Sequence, residues 1–146
     1  MLIERKEDLS IYYWLKTLFA EYSFITVVDG FPSENLVIPS VAVEPDTIDM
    51  EDFELGNRDG IRLRTWYIDV FGKNKTQRDE FAYKVLDELK NGIPVYDYDI
   101  SIPSTELIGH LNILKRKLNI LRIDPELVST MYYRAAISIL AVNDRL

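Results

Sequence analysis

Cysteine is absent from the 146-residue chain. That rules out disulfide staples, thiolate catalysis and cysteine-held zinc or iron–sulfur centres. Histidine occurs once, as His110, so two-histidine metal sites are excluded and any histidine-dependent triad would rest on that side chain alone. A loop or strand-end position without chemistry is the plainer expectation for it. No apolar run approaches the ~20 residues of a membrane-spanning helix. The opening Met1–Asp8, with five charged residues from Glu4 onward, has no apolar core of signal-peptide length, so the expected setting is a cytoplasm. Bases are in deficit, 17 against 24 acids for a net charge of −7. Such a chain repels phosphate overall, and specific nucleic-acid binding is not the default expectation. Gly72-Lys73 lacks the upstream glycine of a phosphate-binding loop, no dinucleotide fingerprint occurs, and Ser101, Ser104 and Ser138 lack a nucleophile-elbow context.

What is present fits one globular domain over residues 1–146. Hydrophobic residues make up 47% and charged residues 28%, ordinary proportions for a domain that folds without metal or disulfide. Ile11, Trp14, Leu15, Leu18 and Tyr22 recur at helical spacing and predict a helix over Asp8–Tyr22. Tyr12 and Phe19 fall off that stripe; they form either a partner surface or a wider core. Phe24–Val28 and Ser40–Val43 read as short strands. Ile61–Phe71, apolar on both faces after Trp66, reads as a central strand covered on both sides. Thr76, with Asp79 three residues on, reads as the N-cap of a second helix carrying Phe81, Ala82, Val85, Leu86 and Leu89. Asn91-Gly92 and Pro94 stop it. Leu111–Leu121 fits helix or strand; the turn signal at Asp124-Pro125 favours the strand. Ser129–Val142 closes the chain as a buried strand. The order of helix, strands, helix, strands predicts an α+β fold: a mostly antiparallel or mixed sheet with two main helices packed on it.

Three clusters bear on function. Asp69 on a strand, followed by Glu88-Leu89-Lys90, has the acid-x-lysine spacing of some metal-dependent nucleases. Glu88 and Lys90 fall at a helix end, however, where residues two apart face different directions. Lys115-Arg116-Lys117 with Arg122 is the one basic cluster, fit for an acidic partner or a solvated strand face. The segment Glu44–Gly60 holds seven acids against Arg58 alone. It reads as a mobile loop or as a long hairpin arm that orders against a neighbour, with Phe53 and Leu55 as anchors and the acids meeting Lys115 and Arg116.

The stretch Arg64-Thr65-Trp66-Tyr67-Ile68-Asp69-Val70-Phe71-Gly72-Lys73-Asn74-Lys75-Thr76-Gln77-Arg78-Asp79-Glu80-Phe81-Ala82 resembles the centre of the tail-terminator and tail-completion proteins of long-tailed phages. The likeness lies in an aromatic-rich strand, a polar turn and a helix opening with Gln-Arg-Asp. Ile93-Pro94-Val95-Tyr96-Asp97-Tyr98 and the closing Tyr132-Tyr133-Arg134-Ala135-Ala136 are also similar to that family; Ile100–Asp124 matches least. The resemblance implies a virion protein assembled in the host cytoplasm, without catalytic residues or cofactor. Its expected form is a homo-oligomeric ring, commonly a hexamer, that caps the tail tube and joins it to a head-completion or connector protein. DNA would pass through such a ring. A head-completion or neck protein, a soluble adaptor outside any virion, and the nuclease are the alternatives.

Overall fold

A computed structural model describes residues 1–30, 37–51, 61–122 and 133–145. Helix α1 (Ile3–Leu18) is followed by strands β1 (Thr26–Asp29), β2 (Ser40–Glu51) and β3 (Ile61–Phe71), helix α2 (Lys75–Glu88), and strands β4 (Ile93–Tyr96), β5 (Leu107–Arg122) and β6 (Tyr133–Arg145). The six strands form one sheet in the order β1-β2-β3-β6-β5-β4. Among the described residues only β1–β2 is parallel, and the other four pairings are antiparallel. The fold is therefore α+β on a mixed sheet. β3 lies inside the sheet as expected, but the helices cover one of its faces and Tyr67 on the other is exposed; the ambiguous Leu111–Leu121 segment lies within strand β5.

Both helices lie on one face of the sheet. Trp66, Ile68 and Val70 of β3 alternate toward them and meet Ile11 and Leu15 of α1, Phe81 and Val85 of α2, and Leu89 just beyond α2. Each fully buried side chain of this size contributes about 1.5–3 kcal/mol. Ser10 fixes α1 to the sheet margin: its Oγ donates to the Lys6 carbonyl (2.7 Å) and accepts from the Tyr96 N–H of β4 (3.2 Å).

Several boundaries differ from expectation. α1 begins at Ile3 because the acids of its first turns have cationic partners on β3, and it ends at Leu18, where Phe19 leaves the helical frame (φ −102°, ψ 15°). α2 is capped by Asn74, not Thr76. Asn74 Oδ1 accepts from the Gln77 N–H (2.8 Å), and Gln77 Oε1 in turn accepts from the Lys73 N–H (2.8 Å). The last strand ends later than expected, at Arg145, and Ser129–Tyr132 lie outside the described residues. The acidic segment is strand as far as Glu51, paired with β3 through a bulge at Asp46–Thr47. Glu44, Asp46 and Asp49 are exposed to water, so these acids carry no charge-burial cost.

α2 runs into a single 3-10 turn, Leu89–Asn91, closed by Gly92 at φ +71°. A Cβ there would stand 2.7 Å from the Leu111 carbonyl oxygen and collide with the His110 imidazole. Close approach of the turn to β5 therefore requires glycine in this left-handed conformation.

Candidate subunit-interaction surfaces

The inner strands of the sheet are long and its outermost strands are short. β2 has 12 residues, yet β1 pairs only with Ser40–Val43. β5 has 16 residues, yet β4 pairs only with Leu107–Leu111. Among the described residues, no strand covers the outer edge of β2 from Glu44 to Glu51 or of β5 from Asn112 to Arg122. These bare stretches lie on opposite margins. Each carries large apolar side chains in water: Ile48 and Met50 (61% exposed) on β2, Leu114 (59% exposed) and Ile120 on β5. Long exposed edges with apolar side chains are templates for pairing with another chain.

The two edges differ in charge. β2 presents Glu44, Asp46 and Asp49, all exposed; β5 presents Lys115 and Lys117, also exposed. Strand alternation puts Glu44, Asp49, Lys115 and Lys117 on one face of the sheet, the face opposite the helices. Their cross-strand partners are Tyr67, Leu63, Leu140 and Ser138, whereas the alternating Trp66, Ile68, Ile137 and Ile139 face the core.

The residues singled out by sequence divide clearly. Lys115 is exposed beside the bare β5 edge. Arg116 is committed within its own chain: its Nη1 donates to the Leu86 (2.6 Å) and Asp87 (3.3 Å) carbonyls at the end of α2, where a cation also meets the negative end of the helix. Phe19 is corrected to core. It is 3% exposed, edge-on to Phe81 at 5.6 Å, because the turn after Leu18 swings its ring inward. Tyr12 is half-buried against the same core and packs edge-on to Tyr13 at 5.0 Å. Phe53 and Leu55 lie outside the described residues. Glu44 and Asp49, the acids that flank the bulge, belong to the segment that reads as a loop or a hairpin arm, and the β2 pairing places them on an edge.

No protein-family model and no curated protein sequence matches the chain.

Asp69 is buried on the face opposite the helices, where Arg134 Nε (3.0 Å) and Nη2 (2.8 Å) donate to its Oδ1. Burial pushes this carboxyl above its ordinary value, and the Arg134 guanidinium pulls the other way. Glu88 closes α2, which packs on the other face, and the Lys90 ammonium goes to Asp87 at 3.4 Å. The acid-x-lysine trio therefore does not converge.

A third surface is a cleft of about 570 Å³ between α1 and the segment after β4, with Tyr13, Trp14, Pro94, Tyr96, Tyr98 and Pro103 among its walls. Tyr13 and Tyr98 stack across it at 5.4 Å. The segment after β4 is also tied to α1 by Lys6, whose Nζ lies 2.9 Å from both Asp97 Oδ1 and Asp99 Oδ2. Lys6 holds both carboxyls below their ordinary value, while they hold its ammonium above its own.

Proposed function

We propose that the chain is a structural subunit that closes into a ring at the tail or neck of a long-tailed phage, capping the tail tube and joining it to the head. The observation that carries this reading is the pair of bare strand edges on opposite margins of one sheet. A twofold dimer joins a patch to its own copy, so it covers one margin and leaves the other open. A head-to-tail ring covers both in every subunit. The strand, turn and helix that carry the resemblance to tail-terminator proteins occur as β3, the Gly72–Asn74 turn and α2, which supports the same reading. Work of this kind needs no catalytic residue, and the engagement of Asp69 by Arg134 is consistent with that.

The test is negative-stain imaging with light scattering, on the protein alone and with tail tubes. Closed rings are the expected result, with six copies of the 17.0 kDa chain weighing roughly 100 kDa. A strict twofold dimer in both conditions sinks the reading. So does Mg²⁺- or Mn²⁺-dependent DNA cleavage that Asp69→Asn abolishes.

A further inference from the structure

The ring reading leaves open which surfaces meet, and the sheet supplies the chemistry. Strand directions alternate from β2 through β3 and β6 to β5, so β2 and β5 run oppositely. Rotation about an axis to which the strands tilt, as in a closed barrel, keeps those directions from one subunit to the next while allowing an offset along the edge. It would set the β5 edge of one subunit antiparallel to the β2 edge of the next and continue the alternation. The faces are preserved as well, so Lys115 and Lys117 would share a face with the neighbour's Glu44 and Asp49. Pairing of like edges does the reverse. β5 on β5 sets lysines against lysines and β2 on β2 sets acids against acids, and like charges directly opposite destabilise a strand pair.

The short strands set the offset. Val43, where β1 stops, stands in one row with Ile68, Ile137 and Leu118. A neighbour docked level would therefore drive the end of β5 beyond Leu118 into β1. At the other end, β4, opposite Leu111 and so level with Met50, would meet the last residues of β2. Sliding by about six residues, an even number that keeps each side chain on its own face, is roughly 20 Å at 3.3–3.4 Å per residue; it clears both obstacles and brings Lys117 diagonally beside the neighbour's Asp49. A constant offset between successive strands is also what closing a sheet on itself demands.

Resting on the ring reading, we infer that successive copies of this chain join by antiparallel β-addition of the basic β5 edge of one subunit to the acidic β2 edge of the next. Three preparations test it by sedimentation velocity and negative-stain imaging against the wild type: Lys115→Glu/Lys117→Glu, Glu44→Lys/Asp49→Lys, and their equimolar mixture. All four side chains are exposed, so each variant melts with the wild type, as circular dichroism will check. Each variant alone loses assembly, with an association constant lowered by about tenfold or more. The mixture restores it, because an acidic β5 then finds a basic β2 and a basic β5 an acidic one. Rings that persist in both reversed variants overturn the edge pairing and leave the ring reading standing. Loss without rescue on mixing overturns the charge-matched pairing too. Wild-type protein that closes no ring, alone or on tail tubes, overturns the ring reading and this inference with it.

Discussion

Charge is handled in opposite ways at the root of α1 and at the bare edges of the sheet. At the root, Arg64 (3% exposed) sits against Glu7 (2% exposed). Its Nη1 lies 3.1 Å from Glu7 Oε1, 3.1 Å from Asp8 Oδ1 and 2.9 Å from the Glu4 carbonyl. The guanidinium also lies 4.4 Å from the Trp66 ring centre, and Trp66 Nε1 donates to Asp8 at 2.8 Å. Every charge there is matched within the chain, out of water. At the edges, Glu44, Asp49, Lys115 and Lys117 are solvated, and the opposite signs sit on opposite margins. The first arrangement holds one chain together; the second leaves its matching to another copy. Buried and exposed charges of the same types therefore respond to substitution in different observables.

The largest effect is expected from Arg64→Met. It strands Glu7 and Asp8 as buried, unmatched carboxylates, and urea denaturation should report a loss of about 3–5 kcal/mol. Trp66→Phe keeps the ring but removes the donor to Asp8, at an expected loss of about 1–3 kcal/mol in the same measurement. A loss below about 0.5 kcal/mol in either would mean that the cluster is no more demanding than surface charge.

Two aspartates sharpen the contrast through pH. Lys6 depresses Asp97 in the folded state, so its stabilisation is present above the usual carboxylate range and lost as pH falls below it. Asp97→Asn should therefore melt lower than wild type near pH 7, with the gap closing on acidification. Asp69 is raised by burial, so the folded state takes its proton first and stability falls as pH rises through the raised value. Relative to wild type, Asp69→Asn should gain stability from acid toward neutral pH, on top of a constant offset for the altered Arg134 contact. Thermal melts across pH 3–7 check both signs. The smallest effect is expected from Lys117→Ala, which should leave monomer stability within about 0.5 kcal/mol while weakening assembly.

Local patterns made much of the fold legible. The two-sided apolar run of β3, the stripe of α2 and its stop at Gly92 all depend on neighbours a few positions away. What stayed hidden depends on residues far apart. Glu7 and Asp8 look like solvent-facing charges until Arg64 is placed opposite them, so the start of α1 was unreadable. Phe19 keeps helical spacing with Tyr12, and only the turn after Leu18 takes it inward. At the candidate interface, Lys115 stood out as part of a basic run. The acids of β2 read equally as loop or hairpin arm, because their strand character comes from pairing with β3. Bare edges belong to topology, since they exist only once β1 and β4 are known to stop short.

The buried cluster also bears on the route by which the chain folds. Arg64 lies 57 positions beyond Glu7, and Trp66 lies 58 beyond Asp8. A 16-residue helix is only marginally stable by itself in water. Seating α1 on the sheet before β3 is in place would bury its carboxylates without a counter-charge, at several kcal/mol. Helix α1 thus has to wait for the third strand before it can settle, and loop closure over that span slows its docking.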